Sequence, residues 1–526
     1  MSVFVWIWSA IASANGPFVL DGTQPHELQV PLDSAQSCAV CHGGYEAATF
    51  DAWRGTLMAN AVVDPVFLAA LTVAEQDSPG SGEFCLRCHT PNAWLEGRCL
   101  PGDGSALTAS DLASGVSCDA CHRMTEVDGG LFISNAQYTY DNDPSKRGLL
   151  GSNDATHAVT YDPLQASSDL CGVCHEVSNP ALDDFPIELT WTEWSQSAFV
   201  QEGVHCQDCH MKVVKGYAAS NSGLEPRTLH EHRFVGGNAW VPEVLAATAT
   251  DPDRAASLRE TAAAARELHH EAATITIMPV GTPMEGQRTE WIVAVENRTG
   301  HKLPSGYPEG RRAWLEVTID DAAGNRLLHS GAYDLDTAEL QVDDQLRTYQ
   351  ALLGSNGVQS YHMVTQDQLL EDTRIPPRGF RPSSATEPVG RTYATRPDGT
   401  LSHIDDAPYV IQMPEGATGP VTVTATLWYQ TTTKDFVTFL RDVNVTDDRG
   451  TVLYDLWETY DRCPPDEVAR AEATFEVLPR PIDVVDPVVP NPGCGCDQGT
   501  PIALWLGLLG LFATGRRSTP KRKKTR

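Results

Sequence analysis

The chain has 526 residues, enough for two or three domains, and carries 69 acidic against 38 basic side chains, a formal charge of −31 at neutral pH. Phosphate binding needs a basic face, so this balance excludes nucleic acid as a partner. It suits an exported, well-solvated protein that meets basic or small partners.

In chain order, the first residues, MSVFVWIWSAIASANG, are apolar and then small, with Ala-Ser-Ala before Asn15. This reads as a signal peptide over residues 1–14, although the usual basic start is missing.

The next region, residues 30–245, holds one motif five times: Cys38-Ala-Val-Cys41-His42, Cys85-Leu-Arg-Cys88-His89, Cys118-Asp-Ala-Cys121-His122, Cys171-Gly-Val-Cys174-His175 and Cys206-Gln-Asp-Cys209-His210. Chance gives about 0.01 copies for this Cys and His content, and ten of the fourteen cysteines are used this way. Two thiols three residues apart, on one turn, can both reach the vinyl groups along one haem edge as thioethers. The His that follows then lies under the iron as proximal ligand. A zinc site needs a second ligand pair in a compact module and leaves the fixed His unexplained. A redox dithiol needs one such pair, not five. The expectation is five covalently bound haem c groups, in a mainly α and irregular domain of short helices and Gly-, Asp- and Pro-rich loops.

What fills the far side of each iron decides its chemistry. Two strong ligands make a haem that passes electrons; an open side makes one that can bind substrate. Eleven histidines lie outside the motifs. His157, His232 and His301 are the main distal candidates by placement, with Met58 on the segment after the first motif. His205, His230, His269 and His270 are weaker candidates, and His329, His362 and His403 read as structural. Arg54, Arg123, His205 and Tyr45, all near motifs, are candidate acid–base groups should one haem act on a substrate.

Residues 251–272 read as one Ala-rich helix, a connector to a different domain. From Ala273 the pattern changes: ATITIMPV, EWIVAVENRTG, AWLEVTIDDAAGNRLL, GPVTVTATLWYQTT and TVLYDLWETY have strand length, with turn residues between them. This predicts an all-β sandwich over 273–480. Residues 481–493 form a Pro-rich linker. The tail, 494–526, combines Cys494-Gly-Cys496, an apolar run shorter than an ordinary spanning helix, and a basic end.

The stretches CHGGY, MANAVVDPVF, CLRCHTPNAWLEGR, GVSCDACHRM, SSDLCGVCHEVSNP, CQDCHM and HRFVGGN resemble the cytochrome c-554/c-552 group of multihaem cytochromes, over roughly residues 36–240. The resemblance implies closely stacked haems and a His outside each motif ligating a neighbouring haem, which favours His157 and His232. ENRTGHKLPSGYPEGRRAWLEV resembles a domain appended to some multihaem cytochromes, in which the Gly-His-Lys-x-Pro turn faces the haems; that implies His301 as an inter-domain ligand. Pentahaem nitrite reductases carry Lys in place of one motif His, and no such motif occurs here. The tail resembles the C-terminal sorting signal of myxobacterial surface proteins, which implies processing at Cys494 and Cys496 and anchoring at the cell surface or outer membrane, with a periplasmic location as the alternative.

These expectations favour an electron-transfer protein over an enzyme. Its partners are envelope redox proteins or an extracellular electron acceptor, and it meets the membrane through its tail. The alternative is an oxidoreductase of a small nitrogen or sulfur compound at one open haem; a third reading is a surface binding module. Cys99 and Cys463 remain outside the motifs, and a disulfide between them is one expectation for an exported chain.

Overall fold

Fixed turns and caps start the helices that surround the motifs. Asp64 caps Pro65–Asp77, its carboxylate accepting from the backbone N–H of Val66 and Phe67, with Pro65 in the first helical position where no N–H is missed. Thr108 and Asp111 form a reciprocal capping box on Ala109–Ser114. A computed structural model describes residues 20–45, 47–126, 130–151, 155–220, 225–417 and 419–480. The expected signal peptide, Pro-rich linker and tail, including Cys494 and Cys496, lie outside the described residues. Residues up to Arg480 form one unit by their own contacts.

The motif-bearing half is short helices joined by long loops, with three small two-stranded ladders: Lys146–Gly148 with Val159–Tyr161, Val177–Asn179 with Phe185–Glu188, and Val213–Gly216 with Arg227–His230. The Ala-rich helix runs Pro252–Ala272, capped by Asp251, and buries the stripe Ala255, Leu258, Ala262, Ala265 and His269. Arg266 on it pairs with Glu243 at 2.6 Å and with Asp466 at 2.8 Å, so the helix ties the two halves together.

Beyond it, two antiparallel sheets carry the period-2 pattern. One has the order Ile404–Gln412, Arg288–Asn297, Ala273–Val280. The other has the order Arg326–Ser330, Arg312–Asp320, Gly419–Gln430, Asp466–Val477, with Arg347–Tyr349 also on the second strand. Alternate residues (Trp291, Val293 and Val295 on one sheet; Leu315, Val317, Val421, Val423 and Leu427 on the other) meet in a single buried cluster. Each such side chain contributes about 1.5–3 kcal/mol by burial.

The expectation of an all-β second half is corrected. TVLYDLWETY lies mostly in the helix Arg449–Thr459, and Lys434–Val443 is a second helix. The reason is period: Phe436 with Leu440, and Leu453 with Trp457, recur at i and i+4, and all four are buried. Their faces join Ala69, Val73, Trp240, Val241 and Val244 of the motif half in one apolar cluster. Because Phe436 is 2 % exposed at the centre of that seam, Phe436→Ala should cost about 3–5 kcal/mol, read as a lower guanidinium midpoint by circular dichroism.

Candidate haem-binding cavity

Each motif sits on or just after one short helix. Four of these helices end on the motif His: Ala35–His42, Ser81–His89, Cys118–His122 and Cys206–His210. The fourth, Ser168–Gly172, stops earlier, and Cys174 and His175 follow in its terminal turn. The motifs cluster out of sequence order. Thiols come close enough to interact between the first and third (Cys38 with Cys118), the second and fourth (Cys88 with Cys174), and the fourth and fifth (Cys171 with Cys206). Burial pushes the Cys85 thiol up to about 12 and that of Cys121 to about 11.

One cavity of about 1230 Å³ is lined by eight of the ten motif cysteines and by His42, His89, His122 and His175. A single small-molecule site takes about 300–1,000 Å³, so this space is larger than one such ligand needs.

The imidazoles are held for metal binding. Nδ1 of His42 donates to the carbonyl of Ala218 (2.7 Å), that of His89 to Ala61 (2.9 Å), that of His122 to Arg147 (2.6 Å) and that of His210 to Val235 (2.5 Å). A carbonyl can only accept, so each ring carries its proton on Nδ1 and keeps the Nε2 lone pair free. His175 differs: its Nδ1 faces a carboxylate, Glu188 Oε1, at 3.7 Å. Burial opposes both charges, but the facing pair outweighs it, holding Glu188 below its ordinary value and His175 above.

Three distal candidates face motif rings. His157 lies 6.4 Å from His42, His232 lies 6.0 Å from His122 and His301 lies 6.3 Å from His210, centroid to centroid. Two metal–nitrogen bonds of roughly 2 Å plus two ring radii of about 1 Å require about 6 Å, so each gap admits one iron. These rings are oriented in the same way, with Nδ1 on the carbonyls of Ala158 (3.1 Å), His230 (2.9 Å) and Lys302 (2.9 Å). Among the described residues, His89 and His175 face no second imidazole. His89 stacks on Phe67 at 3.7 Å. Met58 lines the cavity, and its carbonyl accepts from the N–H of Val116 beside the third motif.

Of the four suggested acid–base groups, His205 lines the cavity and Arg54, Arg123 and Tyr45 do not; all four have partners of their own. Arg54 pairs with Asp251. Arg123 donates to the carbonyls of Val30, Pro31 and Asp141. His205 caps the fifth motif helix, and Tyr45 donates to the Tyr217 carbonyl. Sequence reasoning missed Glu188, Tyr307, Glu309 and Met363, which all line the cavity. The stretch SGYPEGRR carried the signal for two of them, without a period or spacing to assign a role. Burial pushes the Glu309 carboxyl up to about 8, against the hydrogen bond from Gln366, so it is a neutral acid at pH 7. Cys99 and Cys463 are buried as free thiols in separate apolar clusters, so the expected disulfide is not formed.

Residues 37–123, which span the first three motifs, match the family described as Cytochrome c554 and c-prime. The fold resembles the crystal structure of a penta-heme cytochrome c552 from Thermochromatium tepidum, at 18% sequence identity and a TM-score of 0.52, covering 84% of this chain and 99% of that one. That share is too large for the motif-bearing half alone, so the likeness extends into the strands. No curated protein matches the sequence. These findings support a multihaem c-type cytochrome with covalently bound haem c. The donor set fits that group: paired thiols beside imidazoles whose Nε2 is free.

Two outcomes follow. A carboxylate facing a ligand imidazole raises its basicity and stabilises the oxidised metal. Glu188→Gln should therefore raise the midpoint potential of one haem by on the order of 60 mV, a tenfold change in a one-electron equilibrium, in a spectroscopic redox titration. For Glu309, the unfolded carboxyl ionises near its ordinary 4.5 while the folded one keeps its proton to about 8. Stability therefore falls as pH rises between those values, and Glu309→Gln should recover up to roughly 3 kcal/mol at pH 7 and nothing at pH 4, read as thermal midpoints.

Proposed function

We propose that this chain is an exported pentahaem cytochrome c that relays electrons at the cell envelope or surface. The observation that carries this reading is the set of four motif imidazoles with Nε2 free, three of them already opposite a second imidazole at one-iron spacing. The ten motif cysteines hold the haems. His42, His89, His122, His175 and His210 are the proximal ligands, and His157, His232 and His301 close the first, third and fifth irons. Two strong nitrogen ligands give low-spin haems that exchange electrons without binding substrate. The thiol contacts between motifs bring neighbouring haem edges close, as a relay needs. The two facing sheets serve as a β-sandwich that supplies His301 from the side. The partners in this reading are envelope redox proteins or an extracellular acceptor, and the acidic surface favours basic ones. The tail anchors the protein at the surface or outer membrane.

A second reading has its own observation. His89 and His175 face no second imidazole among the described residues, and the cavity wall holds Tyr307 and the neutral acid Glu309. A small nitrogen or sulfur compound reduced at one open haem would find a proton donor there.

The test is made on protein matured with haem. Electron paramagnetic resonance of the oxidised form and absorption of the reduced form with carbon monoxide count the low-spin and open haems. The relay predicts rapid reduction of every haem by one donor and no carbon monoxide uptake. A high-spin haem that takes up carbon monoxide, with catalytic reduction of nitrite, hydroxylamine or sulfite, would replace it by the enzyme reading.

A further inference from the structure

Four ionised side chains lie together in the interior where the strand-bearing half meets the motif half. Lys302 is 0 % exposed, and its Nζ sits 2.6 Å from Asp372 Oδ2. Arg374 bridges Asp372 at 2.8 Å and Glu193 at 2.9 Å. Glu193, also 0 % exposed, stands on the helix Thr190–Ser195 between the fourth and fifth motifs. Its Oε2 accepts from the backbone N–H of Lys302 at 3.1 Å and from Ser305 Oγ at 2.7 Å. Two cations and two carboxylates leave the set neutral.

The set grips the peptide group that follows His301 through its N–H, and a second grip holds the same peptide through its carbonyl. Asn297 Nδ2 donates to the His301 carbonyl and to that of Ile375, each at 2.8 Å. The ring beside this doubly held peptide stands 6.3 Å from His210 and within 15° of parallel to it.

Apolar residues would fill this space at lower desolvation cost, because burying charges is expensive even when they pair. Apolar contacts are also non-directional, and they let a loop slide by tenths of an ångström. A metal ligand tolerates only about 0.5 Å of misplacement. Charge-assisted hydrogen bonds to the backbone beside the ligand provide that fixity.

We infer that Glu193, Lys302, Asp372 and Arg374 are positioning residues for His301, holding it across the boundary between the halves as the sixth ligand of the haem attached at Cys206 and Cys209. This rests on the haem ligation proposed above and adds to it the residues that make ligation from the second half possible.

The test uses the full chain matured with haem and three variants: His301→Gly, Lys302→Met and Ser305→Ala. Electron paramagnetic resonance and titration with imidazole are the readouts. His301→Gly should convert one haem per molecule to high spin, and added imidazole should restore it. Lys302→Met should give the same single-haem signature and the same restoration although it keeps His301, with the other haems unchanged. A Lys302→Met protein with the wild-type spectrum and no imidazole uptake overturns the positioning role. Should Lys302→Met fail to mature, Ser305→Ala decides: it removes one hydrogen bond to Glu193 and should tighten imidazole binding at that haem several-fold, whereas unchanged affinity overturns the role. No spectral change in His301→Gly would overturn the ligation reading itself, and is distinguishable from the other results.

Discussion

The hydrogen bond from imidazole Nδ1 to a backbone carbonyl is the interaction on which the rest of this molecule depends. It fixes the tautomer of His42, His89, His122 and His210 and leaves Nε2 as the only free lone pair. The accepting carbonyls all lie at least 25 residues from their imidazoles along the chain, and three of the four, such as Ala218 for His42, belong to loops. Those loops must therefore fold into place before a ring is aimed. This explains why the motif half has little regular structure: its backbone is used to orient side chains as well as to pair with itself.

The same demand accounts for the way the two halves are joined. The motif half buries an apolar cluster of its own around Leu71, Leu86, Trp94 and Tyr138, and the helices Lys434–Val443 and Arg449–Thr459 add a second one against Pro65–Asp77 and Trp240–Thr248. The strand-bearing half thus extends the first half's core along one seam. At another it places His301 opposite His210. The buried ion set between Glu193 and Lys302 sits at that second seam, where position matters more than burial energy.

The fourth motif stands apart. It contacts both the second and the fifth through its thiols, and its imidazole alone faces a carboxylate. Neutral carbonyl partners on the other four rings and an anionic partner here make it electronically distinct.

The sequence by itself determined the chemistry of attachment, because two cysteines and a histidine at fixed spacing on one turn need only local geometry. It also determined the sheets, since strict alternation in stretches such as EWIVAVENRTG satisfies one buried face. It misled at TVLYDLWETY, where a short apolar run fits either period and only the seam with Ala69 and Trp240 selects the helix. The pairings of His157, His232 and His301 with particular motif rings, the burial of Cys99 and Cys463 apart from each other, and the neutral Glu309 were decided by tertiary structure alone. Each depends on contacts between residues distant along the chain, and on a burial that no local pattern encodes.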